Sequence, residues 1–208
     1  MITNWGYTLP DVDTLPDLLT AAEFESFTAG KYSSDSRIAS EISAACAAIR
    51  NFCGWHISPS TSCSLTEHLL YGNGRVKIVG RDLMIQLPAK AVTEIESVTV
   101  GDTECEEYTC DTNGILHVFD VDLNALSRKT EVVVEYAAGF SDSDLLAVKE
   151  LIAHRVTHAL AVPAGITSEA AGGVSVTYNA NWANNVRATA LPDDNKEVLM
   201  PYRVQGVF

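Results

Sequence analysis

Apolar residues recur at helical spacing in two stretches near the start of the chain. In the first, Thr14 suits a helix N-cap, Pro16 suits the first turn, and Asp17 follows the cap by three residues. Together with the apolar stripe that follows, these signals predict a helix over about residues 15–29. The second stretch predicts a helix over about residues 35–53, with an apolar side made of Ile38, Ile42, Ala45, Cys46, Ile49, Phe52 and Cys53.

Between about residues 64 and 138 the apolar positions change to the two-residue alternation of strands. Gly72-Asn73-Gly74 lies between the strand-like runs Leu65–Tyr71 and Arg75–Val79, and this arrangement predicts a hairpin. Asn113-Gly114 is a second turn signal of the same kind. The segment therefore predicts a β-rich insertion built from antiparallel hairpins.

Two runs in this segment differ in regularity. Val92, Ile95 and Val98 recur at mixed spacing, which fits a turn leading into a strand better than one continuous strand. Glu131–Ala137 alternates cleanly, and its apolar side is predicted to carry Val132, Val134 and Tyr136.

A long helix over about residues 143–161 is predicted to follow, and its buried side carries Leu145, Val148, Ile152, Val156 and Ala159. Beyond it, residues 169–208 are mostly polar and poorly patterned, apart from a strand-like run after Gly172-Gly173. We predict an α+β fold in which a helical bundle carries a central β-rich insertion. Residues 1–168 would form the main domain and residues 169–208 an extended C-terminal arm.

Composition narrows the function classes. Fourteen Lys and Arg against 27 Asp and Glu give a net charge of −13, which argues against a protein that grips nucleic acid by its phosphates. No apolar run reaches membrane-spanning length, and the N-terminus lacks the layout of a secretion signal. Five cysteines without a CxxC pair are typical of reduced thiols in the compartment of synthesis.

Candidate catalytic groups are sparse. His154 and His158 share a helix face and could hold a metal, but Arg155 stands where the zinc-peptidase motif has Glu. Cys53 and His56 lie close together, yet no acid is placed to orient the histidine. The favoured interpretations are polar helix-face histidines, and a core cysteine beside a loop histidine. We predict no cofactor and no enzymatic activity.

Three motifs carry a family resemblance. They are Pro88 with the apolar series after it, Val132–Phe140 leading into Leu145–His154, and Gly173–Tyr178 followed by Leu199–Arg203. Their succession resembles the phage head–tail connector family related to the neck adaptors of long-tailed phages. The resemblance covers about residues 34–203, most of the chain.

The resemblance implies a virion protein of the neck, assembled in the host cytoplasm with no membrane association. About twelve identical copies would form a ring beneath the portal protein, extend the DNA channel and dock the next neck, stopper or tail protein. DNA would pass through without specific binding. Two alternatives stay open: a head-closure (stopper) or tail-completion protein, and a metal-dependent hydrolase using His154 and His158.

Candidate contact residues follow from the same picture. The C-terminal segment is implied to grip the portal or a neighbouring subunit through Val174, Val176, Tyr178, Trp182, Pro201, Tyr202, Arg203 and Phe208. Arg75, Lys77 and Arg81 form the densest basic group, which could face DNA or an acidic neighbour. The alternative is an ordinary solvated hairpin. The acidic run Asp102, Glu104, Glu106, Glu107 and Asp111 is either a solvated face or part of the channel.

Overall fold

The computed structural model describes residues 3, 5–9, 15–69, 74–119, 121, 122, 126, 127, 129–161, 168–171, 174–177, 191 and 193–204. Contacts divide the chain into two compact units. Unit 1 comprises Met1–Pro16, Cys53–Asp142 and Tyr202–Phe208. Unit 2 comprises Asp17–Phe52 and Ser143–Pro201.

Unit 1 is built from eight described strands in two antiparallel sheets. Sheet A has the strand order β1-β8-β4-β5 and sheet B the order β2-β3-β7-β6. In chain order the strands are β1 (Thr61–His68), β2 (Val76–Val79), β3 (Asp82–Gln86), β4 (Val92–Val100), β5 (Thr103–Glu104), β6 (Tyr108–Cys110), β7 (Ile115–Val118) and β8 (Glu131–Ala138).

Sheet A is organised around β8, which pairs with β1 on one side and β4 on the other. Alternate residues of β8 are buried, which confirms the predicted apolar side of Val132, Val134 and Tyr136. The prediction of a turn within residues 92–98 is wrong, because Val92–Val100 is one strand. Register shifts between Val92 and Glu94 and between Ile95 and Ser97 explain its mixed apolar spacing, since each bulge adds an unpaired residue.

The hairpin predicted at Gly72-Asn73-Gly74 is wrong. β1 pairs with β8 in sheet A, whereas β2 pairs with β3 in sheet B, so the two runs beside this turn signal are not partners. The turn that β2 does make is Gly80-Arg81, where Gly80 has a φ of +68°. A local turn signal does not decide pairing when another strand, here β8, offers a longer matching apolar face.

The second predicted turn, at Asn113-Gly114, is confirmed between β6 and β7. Asp111 supports it, because its carboxylate accepts hydrogen bonds from the backbone N–H groups of Asn113 and Ile115 at 2.9 and 2.8 Å. Gly114 has a φ of +79°, and a Cβ there would lie 2.3 Å from the carbonyl oxygen of Ala89. Only glycine fits this approach of two backbone segments.

Unit 2 is mainly helical. Its helices are α1 (Ala21–Phe27), α2 (Ile38–Cys53, whose last residue is assigned to unit 1), α3 (Leu146–Ala161) and α4 (Asp193–Leu199). A 3₁₀ turn, Asp142–Leu145, leads into α3, and another, Met200–Tyr202, follows α4. The strands β9 (Ser168–Ala171) and β10 (Val174–Thr177) pair antiparallel. No helix in these described ranges is long and apolar enough to cross a membrane.

The start of α1 differs from the prediction. The helix begins at Ala21 behind Thr20, and residues 15–20 are not helical. Thr20 and Glu23 form a reciprocal capping box, in which each side chain accepts the other residue's backbone N–H at 3.2 and 2.7 Å. This box satisfies two N–H donors and outweighs the weaker signal at residues 14–17.

The other two predicted helices are confirmed, although each begins three residues later than predicted, at Ile38 and Leu146. All predicted apolar positions of α2 are buried except the half-buried Phe52. The predicted buried side of α3, from Leu145 to Ala159, is also buried. The helices of unit 2 and the two antiparallel sheets of unit 1 confirm the predicted α+β class with a β-rich insertion.

The contact-based units do not follow the predicted boundary at residue 168. Leu199 is fully buried in unit 2, and Tyr202–Val204 belong to unit 1. The division into a connector domain of residues 1–168 and an arm of residues 169–208 stays a prediction.

Candidate assembly surfaces

A buried histidine organises the core of unit 1. The Nε2 atom of His56 lies 2.9 Å from the carbonyl oxygen of Ala138 and 3.1 Å from that of Pro59, so it carries a hydrogen and donates. Its Nδ1 atom is 2.8 Å from the hydroxyl of Tyr7, and the backbone N–H of His56 donates to the same hydroxyl at 3.1 Å. His56 therefore joins the N-terminal segment to the end of β8.

Beside this histidine, an aromatic seat holds the segment Tyr202–Val204, which we call the C-terminal strap. The indole N–H of Trp55 donates to the carbonyl oxygen of Tyr202 at 2.6 Å, and the backbone N–H of Val204 donates to the carbonyl oxygen of Cys53 at 2.9 Å. The Tyr202 ring meets Phe140 edge-on at 5.1 Å between centroids. Trp55 is fully buried, so these contacts attach the half-buried strap to the core of unit 1.

The predicted C-terminal contact residues fall into three groups. Tyr202 is half-buried in the strap, while Pro201 and Arg203 beside it are exposed. Val174 and Val176 lie on β10, where the structure describes the backbone. Tyr178, Trp182 and Phe208 lie outside the described residues. Their role at an interface stays a prediction.

The three basic residues do not form one patch. The Arg75 guanidinium lies 3.8 Å from the Glu67 carboxylate on β1, and the two side chains are only 13% and 12% exposed. Lys77 is exposed on β2, and Arg81 is exposed in the β2–β3 turn. Arg75 thus fixes the base of the hairpin, whereas Lys77 and Arg81 are exposed at its end.

The end of this hairpin, Lys77–Arg81, combines charge with exposed apolar area; we call it the hairpin tip. Ile78 is 44% exposed and Val79 is 51% exposed. Ile78 lies opposite Leu83, which lies opposite Val118, and both partners are fully buried. The apolar row across sheet B therefore ends at a strand edge with its last member uncovered.

A cavity of about 600 Å³ lies where β4, β5 and the chain after β7 come together; we call it the acidic cavity. Val100 and the half-buried Phe119, Val121 and Leu126 give it an apolar floor. Its rim carries the exposed acids Asp102, Glu104, Glu106, Glu107 and Asp122. Four of the five residues in the predicted acidic run are thus gathered around one concave surface.

The candidate catalytic pairs are poorly suited to chemistry. Burial raises the pKa of the Cys53 thiol to about 12, so it is not a ready nucleophile, and the neighbouring His56 is committed to carbonyl oxygens. His154 and His158 lie 4.6 Å apart between ring centroids on α3. Burial, then the charges of His154 and Arg155, lowers the pKa of His158. Among the described residues, no three His, Cys, Asp or Glu side chains are placed so that they could hold one metal ion.

Sequence reasoning missed the aromatic seat and the acidic cavity. The seat joins Trp55 and Tyr202 across 147 residues, a distance that no local pattern spans. The usable sequence signal is that Trp55 and Phe140 each directly follow a glycine, Gly54 and Gly139, and both glycines have a positive φ in the structure. Such placements mark sharp turns that deliver a large side chain into a core.

Comparison with known sequences adds one assignment. The sequence model of the head completion protein family matches residues 17–204, which is most of the chain and includes parts of both units. This match agrees with the resemblance to phage connector proteins. No curated protein matches the chain.

Proposed function

The chain belongs to the head completion protein family, and on this premise we propose that it is a connector subunit that forms a ring beneath the portal protein. Membership itself assigns a structural role in the phage head and hence a place in the virion. The proposed ring, of about twelve copies, extends the DNA channel and presents a lower surface to the next neck or tail protein. Assembly takes place in the host cytoplasm.

Exposed apolar side chains on regular elements support the proposal most directly. Ile78 and Val79 in unit 1 are 44% and 51% exposed, and Leu146, Val198 and Met200 in unit 2 are between 41% and 57% exposed. Aliphatic side chains on ordered strands and helices are typical of surfaces that a partner covers. A head-to-tail ring needs two different complementary faces on each subunit, together with faces for the portal and for the next protein.

A non-enzymatic role is part of the proposal. The three buried thiols, Cys46, Cys53 and Cys63, have pKa values raised by burial to between about 11 and about 12. The buried histidine of unit 1 is held by two carbonyl oxygens. These groups are buried and stabilise the core, whereas a catalytic site would need them to be accessible to a substrate.

The test is reconstitution with the portal protein of the same phage. We expect the purified chain to bind portal particles and to appear by electron microscopy as a ring coaxial with the portal. Binding only to particles that already carry another ring would instead identify a stopper. A chain that stays monomeric and binds no portal particle would contradict the proposal.

A further inference from the structure

We propose that adjacent copies join by inserting the hairpin tip of one subunit into the acidic cavity of the next. This interface rests on the proposed ring and specifies how its subunits meet. In this interface the partner of the tip, and of the cavity, is a second copy of this chain. The tip supplies Arg81 with Ile78 and Val79, and the cavity supplies carboxylates around an apolar floor.

The two surfaces are complementary in charge. Arg81 is exposed at the tip and ion-pairs with none of the described residues. The cavity rim carries exposed carboxylates, among them Glu104, Glu106 and Glu107. A chain of net charge −13 repels its own copies, so a basic tip entering an acidic cavity gives the encounter both attraction and orientation.

They are also complementary in apolar surface. Ile78 is the exposed end of the apolar row that continues through Leu83 and Val118, and Val79, which pairs with Asp82, is exposed on the other face of β2. The cavity floor is apolar, formed by Val100 with Phe119, Val121 and Leu126. At about 600 Å³ the cavity falls within the range of pockets that bury a whole small ligand, so it has room for two or three side chains.

The positions of the two surfaces on sheet B suit a ring. The tip lies at the β2 edge, and the cavity begins beyond the end of β7, two strand spacings or about 10 Å from β2. Both lie at the same end of the sheet. Leu83, next to the tip, pairs with Val118, and the following residue, Phe119, donates its backbone N–H to Glu107 at the cavity rim.

A head-to-tail contact around a ring axis needs two different surfaces at one height, and the tip and the cavity are such a pair. The outer edge of β1, by comparison, is covered by the bridge between Thr8 and Ser64, whereas no described strand pairs with the outer edge of β2.

Native Cys105 provides a direct test, because it lines the cavity and is half-buried. In the variant Arg81→Cys, the new thiol should enter the neighbour's cavity near Cys105. With diamide as the oxidant, the two thiols give up two hydrogens to diamide and form one intersubunit disulfide. We expect a ladder of multimers on non-reducing gels from portal-bound protein, and none from wild type.

Matched controls separate this contact from random collision. Arg81→Cys/Cys105→Ser should lose the ladder, and Lys31→Cys, at an exposed site in unit 2, should give none. In assembly assays Ile78→Ser should weaken copy–copy association about tenfold or more. Phe27→Ser removes a side chain that is 43% exposed, similar to Ile78, and should change association little.

Charge exchange gives a second readout that does not depend on cysteine. Arg81→Glu and Glu106→Arg should each weaken association about tenfold or more, because each places like charges face to face. The double variant should recover most of the loss. Because both side chains are exposed, thermal unfolding of each variant should match wild type.

Failure of this interface and failure of the proposed function give different results. A ring seen on the portal by microscopy, without cross-linking or charge rescue, overturns the interface and leaves the function standing. A cross-linked ladder in a chain that binds no portal supports the interface and contradicts the portal role. Reduced DNA retention by Arg81→Glu with assembly unchanged overturns the interface in favour of a DNA contact.

Discussion

The C-terminal strap and the hairpin tip, two segments of unit 1, differ in how their apolar side chains are covered. Tyr202 lies in a sequence with little pattern, yet its ring and carbonyl oxygen are engaged by Phe140 and Trp55. Ile78 lies in a regular strand, yet it is 44% exposed. Irregular sequence therefore does not mark the surface left for a partner. Uncovered apolar area on a rigid element is the better guide.

The largest loss of stability should come from a substitution beside the aromatic seat of the strap, at Gly139. Gly139 has a φ of +147°, and a Cβ there would lie 2.4 Å from the carbonyl oxygen of Pro59. Gly139→Ala should lower the free energy of unfolding by about 3 kcal/mol or more, because backbone must move. Urea denaturation measures it.

Gly80→Ala is the matched control at the hairpin tip. Gly80 also has a positive φ, but no atom lies within 4 Å of its would-be Cβ. Its loss should be about 1 kcal/mol, from the backbone conformation alone. Equal losses in the two variants would contradict the view that the strap seat is tightly packed and the tip open.

The base of the hairpin should be the next most sensitive. Glu67→Gln leaves the mostly buried Arg75 guanidinium without its charge partner, since these side chains are 12% and 13% exposed. We expect a loss of about 2 kcal/mol, because an uncompensated buried charge is strongly unfavourable. Arg81→Gln, at the exposed tip, should change stability by less than about 0.5 kcal/mol. If the two variants lose equal stability, Arg75 does not anchor the hairpin.

A smaller effect is expected at the strap itself. Trp55→Phe keeps an aromatic ring but removes part of the indole's volume and the N–H that donates to Tyr202 at 2.6 Å. The loss should be about 1.5 kcal/mol, because the missing hydrogen bond and the small cavity both contribute. Limited proteolysis should then cut sooner after residue 200. Trp5→Phe, which keeps an aromatic ring near Tyr7, should leave the cleavage rate unchanged.

The smallest effect concerns acid sensitivity in unit 2, outside both segments. The hydrogen bond from Lys149, then that from the Thr20 backbone, lowers the pKa of Glu23 from 4.5 to about 2. Because the folded pKa is the lower one, the stabilisation is fully present above about pH 4.5 and is lost as the pH falls towards 2.

Solvent screening of this partly exposed carboxylate keeps its contribution below about 1 kcal/mol. Glu23→Gln should therefore flatten stability between pH 4.5 and 2 in urea titrations, and Glu25→Gln on the same helix should not. The strap should stay protected from protease over the same pH range, since Glu23 and Lys149 belong to unit 2. Release of the strap at pH 3 would show that the two depend on one another.

Much of the fold was predictable from local periodicity. The buried side of α3 and the alternation of β8 follow from residues a few positions apart, whose spacing fixes the face they share. Strand pairing was less accessible, since Gly72-Asn73-Gly74 signals a turn but cannot say that β1 will pair with β8, 63 or more residues further on.

The candidate surfaces were predictable only in part. Arg81 and the acidic run could be named from the sequence. The sequence could not show that Arg75 differs from Lys77 and Arg81, because its ion pair with Glu67 is visible only in the structure. The acidic cavity joins residues from Val100 to Thr130 through two sheets, so its concavity has no sequence signature.

The strap has a consequence for how the nascent chain matures. Unit 1 takes its last described contribution from residues 202–204, after the chain has passed through unit 2. A ribosome must therefore deliver the chain as far as residue 204 from its exit tunnel before the indole of Trp55 finds its acceptor. Products of premature termination would expose that seat, and cellular proteases would remove them before they could enter a growing virion.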